Sequence, residues 1–149
     1  MKTYHHKQIG TVIWVSMLIG TVLFLILGLA GARALWVGVP IFAICGWLFY
    51  SLSIEVTETE LRWHFGPGVI RRNIPRSEIE SALPVRTNVL EGWGIHLSRY
   101  GWLYNVSGFD AVAVRLRNGK QFALGTDQPQ ELANALRAAT SGTGALAGH

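Results

Sequence analysis

Two long apolar stretches, separated by the single charge of Arg33, fill the chain between residues 9 and 52. No other feature restricts the fold so strongly. Residues 9–32 and 34–52 are each long enough to cross the hydrocarbon core of a bilayer, which takes about 18–20 apolar residues as a helix. The expectation is a two-span membrane hairpin, preceded by a short N-terminus (residues 1–8) and followed by a polar, strand-patterned domain.

The basic residues suggest an orientation. Lys2 and Lys7 precede the first stretch, Arg62, Arg71 and Arg72 follow the second, and only Arg33 lies between. Positive charge accumulates on the cytoplasmic side of membrane segments, so both termini are expected in the cytoplasm. A cleaved leader is the competing reading, with Lys2 and Lys7 as its basic end and Ala30-Gly31-Ala32 as its cleavage site. The first apolar run is longer than the usual leader core, and a second follows at once.

Within the stretches, Gly20 and Gly28 flank Phe24, and Gly38 and Gly46 flank Phe42, at four-residue spacing. Small residues at this interval let helix backbones approach closely. The glycines are read as packing the two spans together, with a partner helix as the alternative. No Asp, Glu, Lys or His interrupts either span, which argues against an ion or proton path. Cys45, the lone cysteine, is expected to be an apolar filler.

All nine Asp and Glu and ten of the 13 Lys and Arg fall after residue 52. That domain is close to neutral, so the +4 charge of the whole chain gives no footprint for nucleic acid. Its sequence alternates apolar and polar residues at SIEVT (53–57) and LRWHF (61–65), the period of half-buried strands. Gly66-Pro67-Gly68 breaks the chain before a third strand, VIRRNI. Further strands are expected near residues 84–86, 94–97 and 102–106. The clearest element is a hairpin over 111–125, turning at Asn118-Gly119. A helix follows, with Asp127 as N-cap, Gln130 completing a capping box, and Leu132, Leu136 and Ala139 as its apolar stripe. Residues 53–139 form the domain, and 140–149 a flexible tail.

The segments IEVTETELRW, GWGIHL, GWLYNV, VRLRNGKQFALGTD and PQELANAL, behind two N-terminal spans, resemble the small bacterial membrane proteins that carry a pleckstrin-homology-like domain. That resemblance implies an α+β, mainly β fold: about seven antiparallel strands in a barrel or sandwich capped by a C-terminal helix. It also implies an inner-membrane location. In phosphoinositide-binding relatives of this fold the first hairpin is basic; here Thr57-Glu58-Thr59-Glu60 is acidic, so that site is not carried over.

No metalloprotease, P-loop, CxxC or nucleophile-elbow motif is present. His5, His6, His64, His96 and His149 do not group as metal ligands, and Glu58, Glu60, Glu78 and Glu80 read as surface pairs. The expectation is a non-enzymatic protein without metal, cofactor or small-molecule substrate. It would serve as an adaptor or assembly platform for a protein partner or a homo-oligomer, with membrane lipids around its spans. Trp93 and Tyr100, expected in loops, are the candidate partner contacts. The alternative is an anionic-lipid sensor in which Arg71, Arg72 and Arg76 face the headgroups.

Overall fold

The first strand is one that the sequence pattern conceals. The computed structural model describes residues 2–91 and 94–143, and in it Lys2–Ile9 forms strand β1. Then come helix α1 (Thr11–Leu29), a 3-10 turn (Arg33–Val37) and helix α2 (Gly38–Leu48). Strands β2 (Ser51–Thr57), β3 (Glu60–Phe65), β4 (Ile70–Pro75) and β5 (Ile79–Arg86) follow. The chain continues through β6 (Gly94–Ser98), β7 (Gly101–Asn105), β8 (Asp110–Leu116), β9 (Gln121–Gly125) and helix α3 (Pro129–Thr143). The architecture is α+β.

β1 pairs antiparallel with β2, with Lys7 opposite Ser53 and His5 opposite Glu55. Its inward residues are Tyr4, His6 and Gln8, which are polar or amphipathic, and each is tied to the other end of the chain. Tyr4 packs on the core and its hydroxyl donates to Gln128 Oε1 at 3.2 Å. His6 Nε2 lies 2.5 Å from Asp127 Oδ1, and Gln8 Nε2 donates to the Ser107 carbonyl at 3.0 Å. The N-terminus is therefore part of the β domain, not a segment apart from it.

Among the described residues one helix, α1, is long and apolar enough to cross a membrane. The expected second span is shorter: its helical part is Arg33–Leu48. The length is lost at the C-terminal end, and Pro40 only divides what remains into a 3-10 turn and α2. Pro40 lacks the N–H and the ring clearance for an α-helical bond to the residue four before it, and the leg starts as a 3-10 turn. At the other end the apolar run continues into β2, where Leu52 and Ile54 are buried in the domain. Apolar residues of a span and of a buried strand look alike in sequence.

One sheet has the order β1-β2-β3-β4 and the other β5-β8-β9-β7-β6. Their inner faces meet over Leu52, Ile54, Val56, Trp63 and Phe65 from the first, and Val112, Val114, Phe122 and Leu124 from the second. The β8–β9 hairpin turns at Asn118-Gly119, where Gly119 has φ +85° and donates to the Leu116 carbonyl. Among the described residues the strands number nine instead of about seven, and β7 runs parallel to β9, so the sheets are not wholly antiparallel. They do not close into a barrel either: among the described residues no strand pairing joins one sheet to the other.

Helix α3 fills the seam between β1 and β5 with Leu132, Ala133 and Leu136, all buried. Burying each leucine contributes roughly 1.5–3 kcal/mol. At its start the Thr126 hydroxyl accepts from the Gln128 N–H, while Asp127, the expected cap, faces His6. The helix runs on through Thr143, four residues past its expected end. The opposite seam, between β4 and the β6–β7 edge, has no such plug among the described residues.

Candidate functional site

Alternation along a strand sends neighbouring residues to opposite faces, and it separates the arginines expected to act together. Arg71 lies opposite His64 and Arg72 opposite Trp63. Arg71 therefore belongs to the outer face of the first sheet, and Arg72 to the inner side, at the mouth of the open seam. Arg76 is in neither place. It is 8% exposed, its Nη1 donates to the Thr57 carbonyl and its Nη2 to the Ala135 carbonyl, both at 2.5 Å. Burial pushes its pKa down from the usual arginine range. Arg76 joins β2 to α3 and has no free face for a headgroup.

The outer face of the first sheet carries two polar rows set by register. One is His5, Glu55, Arg62 and Asn73; the other is Lys7, Ser53, His64 and Arg71. Glu60, at the edge of this face, accepts hydrogen bonds from Arg62 and, at 3.1 Å, from Asn73. Those bonds, Arg62's foremost, hold its carboxyl below the usual carboxylate range. The second row adjoins the helix base: Lys7 Nζ sits 5.2 Å from the centre of the Tyr50 ring.

Of the two aromatic candidates, Trp93 lies outside the described residues. Tyr100 is half-buried against a small cluster of Leu103, Ala111 and Ala123 on the outer face of the second sheet. The Arg99 guanidinium covers its ring at 5.0 Å, and Arg99 is held in turn by Glu91 at 3.2 Å. Tyr100 is a packing residue here.

Among the described residues of the two sheets the exposed tryptophan is Trp102, 53% accessible, opposite Leu97, 72% accessible. It stands at the rim of a cleft of about 510 Å³ in the open seam, whose lining also includes Trp63, Arg72, Ile74, Tyr104, Gln121 and Phe122. The floor is an aromatic cluster. Trp63 stacks on Phe122 with centroids 5.1 Å apart, and meets Tyr104 edge-on at 5.3 Å. Gly101 allows this floor to form. It has φ +87°, and a Cβ there would overlap the Gln121 carbonyl, so β7 could not lie against β9. The alternation of GWLYN already places Trp102 and Tyr104 on one face; which face was undetermined without the β7–β9 pairing.

The four glycines of the helices all stand at the α1–α2 contact. A Cβ on Gly20 would meet the Phe42 ring at 2.5 Å, one on Gly28 the Trp36 indole at 2.8 Å, and one on Gly46 Met17 Cβ at 3.3 Å. At Gly38 it would overlap the Phe24 ring. Each glycine receives an aromatic or methionine side chain from the other leg of the hairpin, Gly28 from the 3-10 turn and the rest from the facing helix. A groove of about 330 Å³ remains near the base, lined by Trp14, Met17, Phe42 and Trp47.

Among the described residues no group of three or more His, Cys, Asp or Glu is placed to hold a metal ion. The chain matches no known family model, no curated protein and no solved structure.

Proposed function

We propose that this chain is a membrane-anchored interaction module: α1 and α2 insert as a hairpin, and the pleckstrin-homology-like domain stands at the cytoplasmic face of a bacterial inner membrane as an adaptor for a protein partner. The carrying observation is that both legs of the apolar hairpin return to adjacent paired strands, β1 and β2. A segment anchored this way presents its domain at a fixed height and angle.

Length supports two crossings. The 19 residues of α1 rise about 28 Å at ~1.5 Å each. The five 3-10 and eleven α residues of the second leg rise about 26 Å, because 3-10 turns advance ~2.0 Å per residue. Both approach the ~30 Å hydrocarbon thickness. Trp14, Trp47 and Tyr50 near the base and Trp36 near the tip suit the two interfaces, where such rings concentrate. The cleaved-leader reading fares worse, since cutting after Ala32 would discard β1 and its ties to Ser107, Asp127 and Gln128.

The test combines three measurements on the full chain in its membrane. Intact mass should retain the first 32 residues. A membrane-impermeant maleimide should label Gly31→Cys from outside the cell and leave Arg115→Cys unlabelled. Photo-crosslinkers set around the domain should form adducts with protein. Loss of the N-terminal mass or inverted labelling would overturn the anchor, and adducts with lipid alone would overturn the adaptor.

One observation favours a second reading. Arg71, His64 and Lys7 share a row beside the helix base, where a basic residue gains about 1 kcal/mol near anionic lipid. Salt-sensitive shielding of Arg71→Cys in anionic but not neutral nanodiscs would support that reading.

A further inference from the structure

Resting on the adaptor reading, we infer that the open seam receives an extended segment of a partner protein, with its apolar side chains in the cleft and a carboxylate on Arg72. The molecule's other seam shows how such a gap is filled. There α3 lays Leu132 and Leu136 between the sheets, and Arg76 fastens the helix to β2. The β4 seam has the same kind of apolar interior and an arginine at its mouth, but no plug among the described residues.

The chemistry of the gap selects its occupant. Trp63, Tyr104 and Phe122 form a floor for apolar side chains, and Trp102 and Leu97 stand exposed at the rim. Exposed tryptophan beside a pocket is the composition of interface anchors. The Arg72 guanidinium has no ion-pair or hydrogen-bond partner among the described residues, so a carboxylate would be its complement. The second strand edge of β4 is also unpaired among the described residues, leaving the backbone groups that point away from β3 available, except at Pro75, which has no N–H. Adding a strand there uses main-chain bonds for affinity and alternate side chains for specificity. About 510 Å³ accommodates a few side chains but not a helix of ~10 Å diameter. Arg72, on the cleft side of that edge, also discourages indiscriminate pairing and selects a strand with an acidic residue facing the cleft.

A random octapeptide library displayed on phage, selected against the full chain in nanodiscs, tests this while the partner is unidentified. The expected enrichment is for peptides in which every second residue, the set that faces the cleft, is apolar except for one acidic position. Binding of an enriched, fluorescein-labelled peptide, read by anisotropy, should weaken at least tenfold with Arg72→Glu and with Trp102→Ala. Arg71→Glu, on the opposite face, should change it less than twofold. Repeating the selection on Arg72→Glu should turn the enrichment from acidic to basic peptides, a gain that misfolding cannot produce. No enrichment, or enrichment indifferent to Arg72→Glu, would overturn the assignment. So would displacement of the peptide by short-chain phosphatidylglycerol, which would give the cleft to lipid, or Arg72-dependent self-association, which would give it to a second copy. Should the selection fail while domain photo-crosslinks still reach protein, the cleft assignment falls and the adaptor reading stands; should both fail, both fall.

Discussion

Trp63 offers the sharpest test of the core. It is 3% exposed, stacks on Phe122, and its indole N–H is buried without a hydrogen-bond partner among the described residues. An unpaired buried donor costs about 1–3 kcal/mol. Trp63→Phe removes that donor and keeps an aromatic ring against Phe122. It also gives up roughly 40 Å² of apolar burial, about 1 kcal/mol at ~25 cal/mol per Å², and leaves a small void. The two effects oppose each other, so the expected net change is within about 1 kcal/mol of zero. Trp63→Ala, which removes the ring, should cost about 3–5 kcal/mol. For a domain of this size ~1 kcal/mol moves Tm by about 4–8 °C. Thermal unfolding of the full chain in detergent, followed by near-UV circular dichroism, should therefore place Trp63→Phe within about 8 °C of the parent and Trp63→Ala at least ~12 °C below it. If Trp63→Phe falls as far as Trp63→Ala, the nitrogen has an acceptor in the native protein and the reasoning fails.

Three further outcomes are expected. Gly101→Ala, which must take φ +87° and overlap the Gln121 carbonyl, should destabilise by more than about 2 kcal/mol; Gly119→Ala, at φ +85° in open space, should show only the backbone strain of about 1–2 kcal/mol, and paired melting curves compare them. In a Cys45→Ala background, Met17→Cys with Gly46→Cys should oxidise to a disulfide in membranes, because the Met17 Cβ lies 3.3 Å from a Cβ built on Gly46, near the usual ~3.5–4.5 Å; adding Gly20→Val and Gly38→Val should abolish the cross-link on a non-reducing gel. Glu60 has its folded pKa lowered by Arg62 and Asn73, so its contribution is present above the unfolded carboxylate pKa and is lost as pH falls through the folded one. Melting temperatures of the parent and Glu60→Gln should therefore differ at neutral pH and converge in acid.

Local signals were readable where a few adjacent residues determine the outcome. Asn118-Gly119 marked its hairpin, the alternation of LRWHF gave β3, and the PQELANAL stripe gave α3. The failures share a physical origin in distance along the chain. KTYHHKQI looks like a basic tail because its inward residues are Tyr4, His6 and Gln8, and what makes them a strand is a partner more than forty residues on. Arg71 and Arg72 could have been parted by the two-residue period alone, whereas the burial of Arg76 depends on α3, about sixty residues away. The open seam is a property of two sheets together, so no window of sequence contains it. The exposure of Trp102 at the cleft depends on its strand's parallel partner, β9, which comes later and through a crossover.

The placement of the hairpin between β1 and β2 also has a consequence for synthesis. β1 leaves the ribosome before α1 and α2 but has nothing to pair with until the chain up to Thr57 has followed. In between, the chain must dispose of α1 and α2, which expose Leu23, Ile26, Ile41 and Ile44 on their surfaces. With those helices settled in a bilayer, Ile9 and Ser51 arrive side by side and the first sheet can zip from the membrane outward; left in water, the same residues would collapse on themselves or on neighbours. On the membrane-anchored reading proposed above, completion of the first sheet would be conditional on delivery to the membrane, and a chain that missed it would lack the scaffold on which the open seam is built.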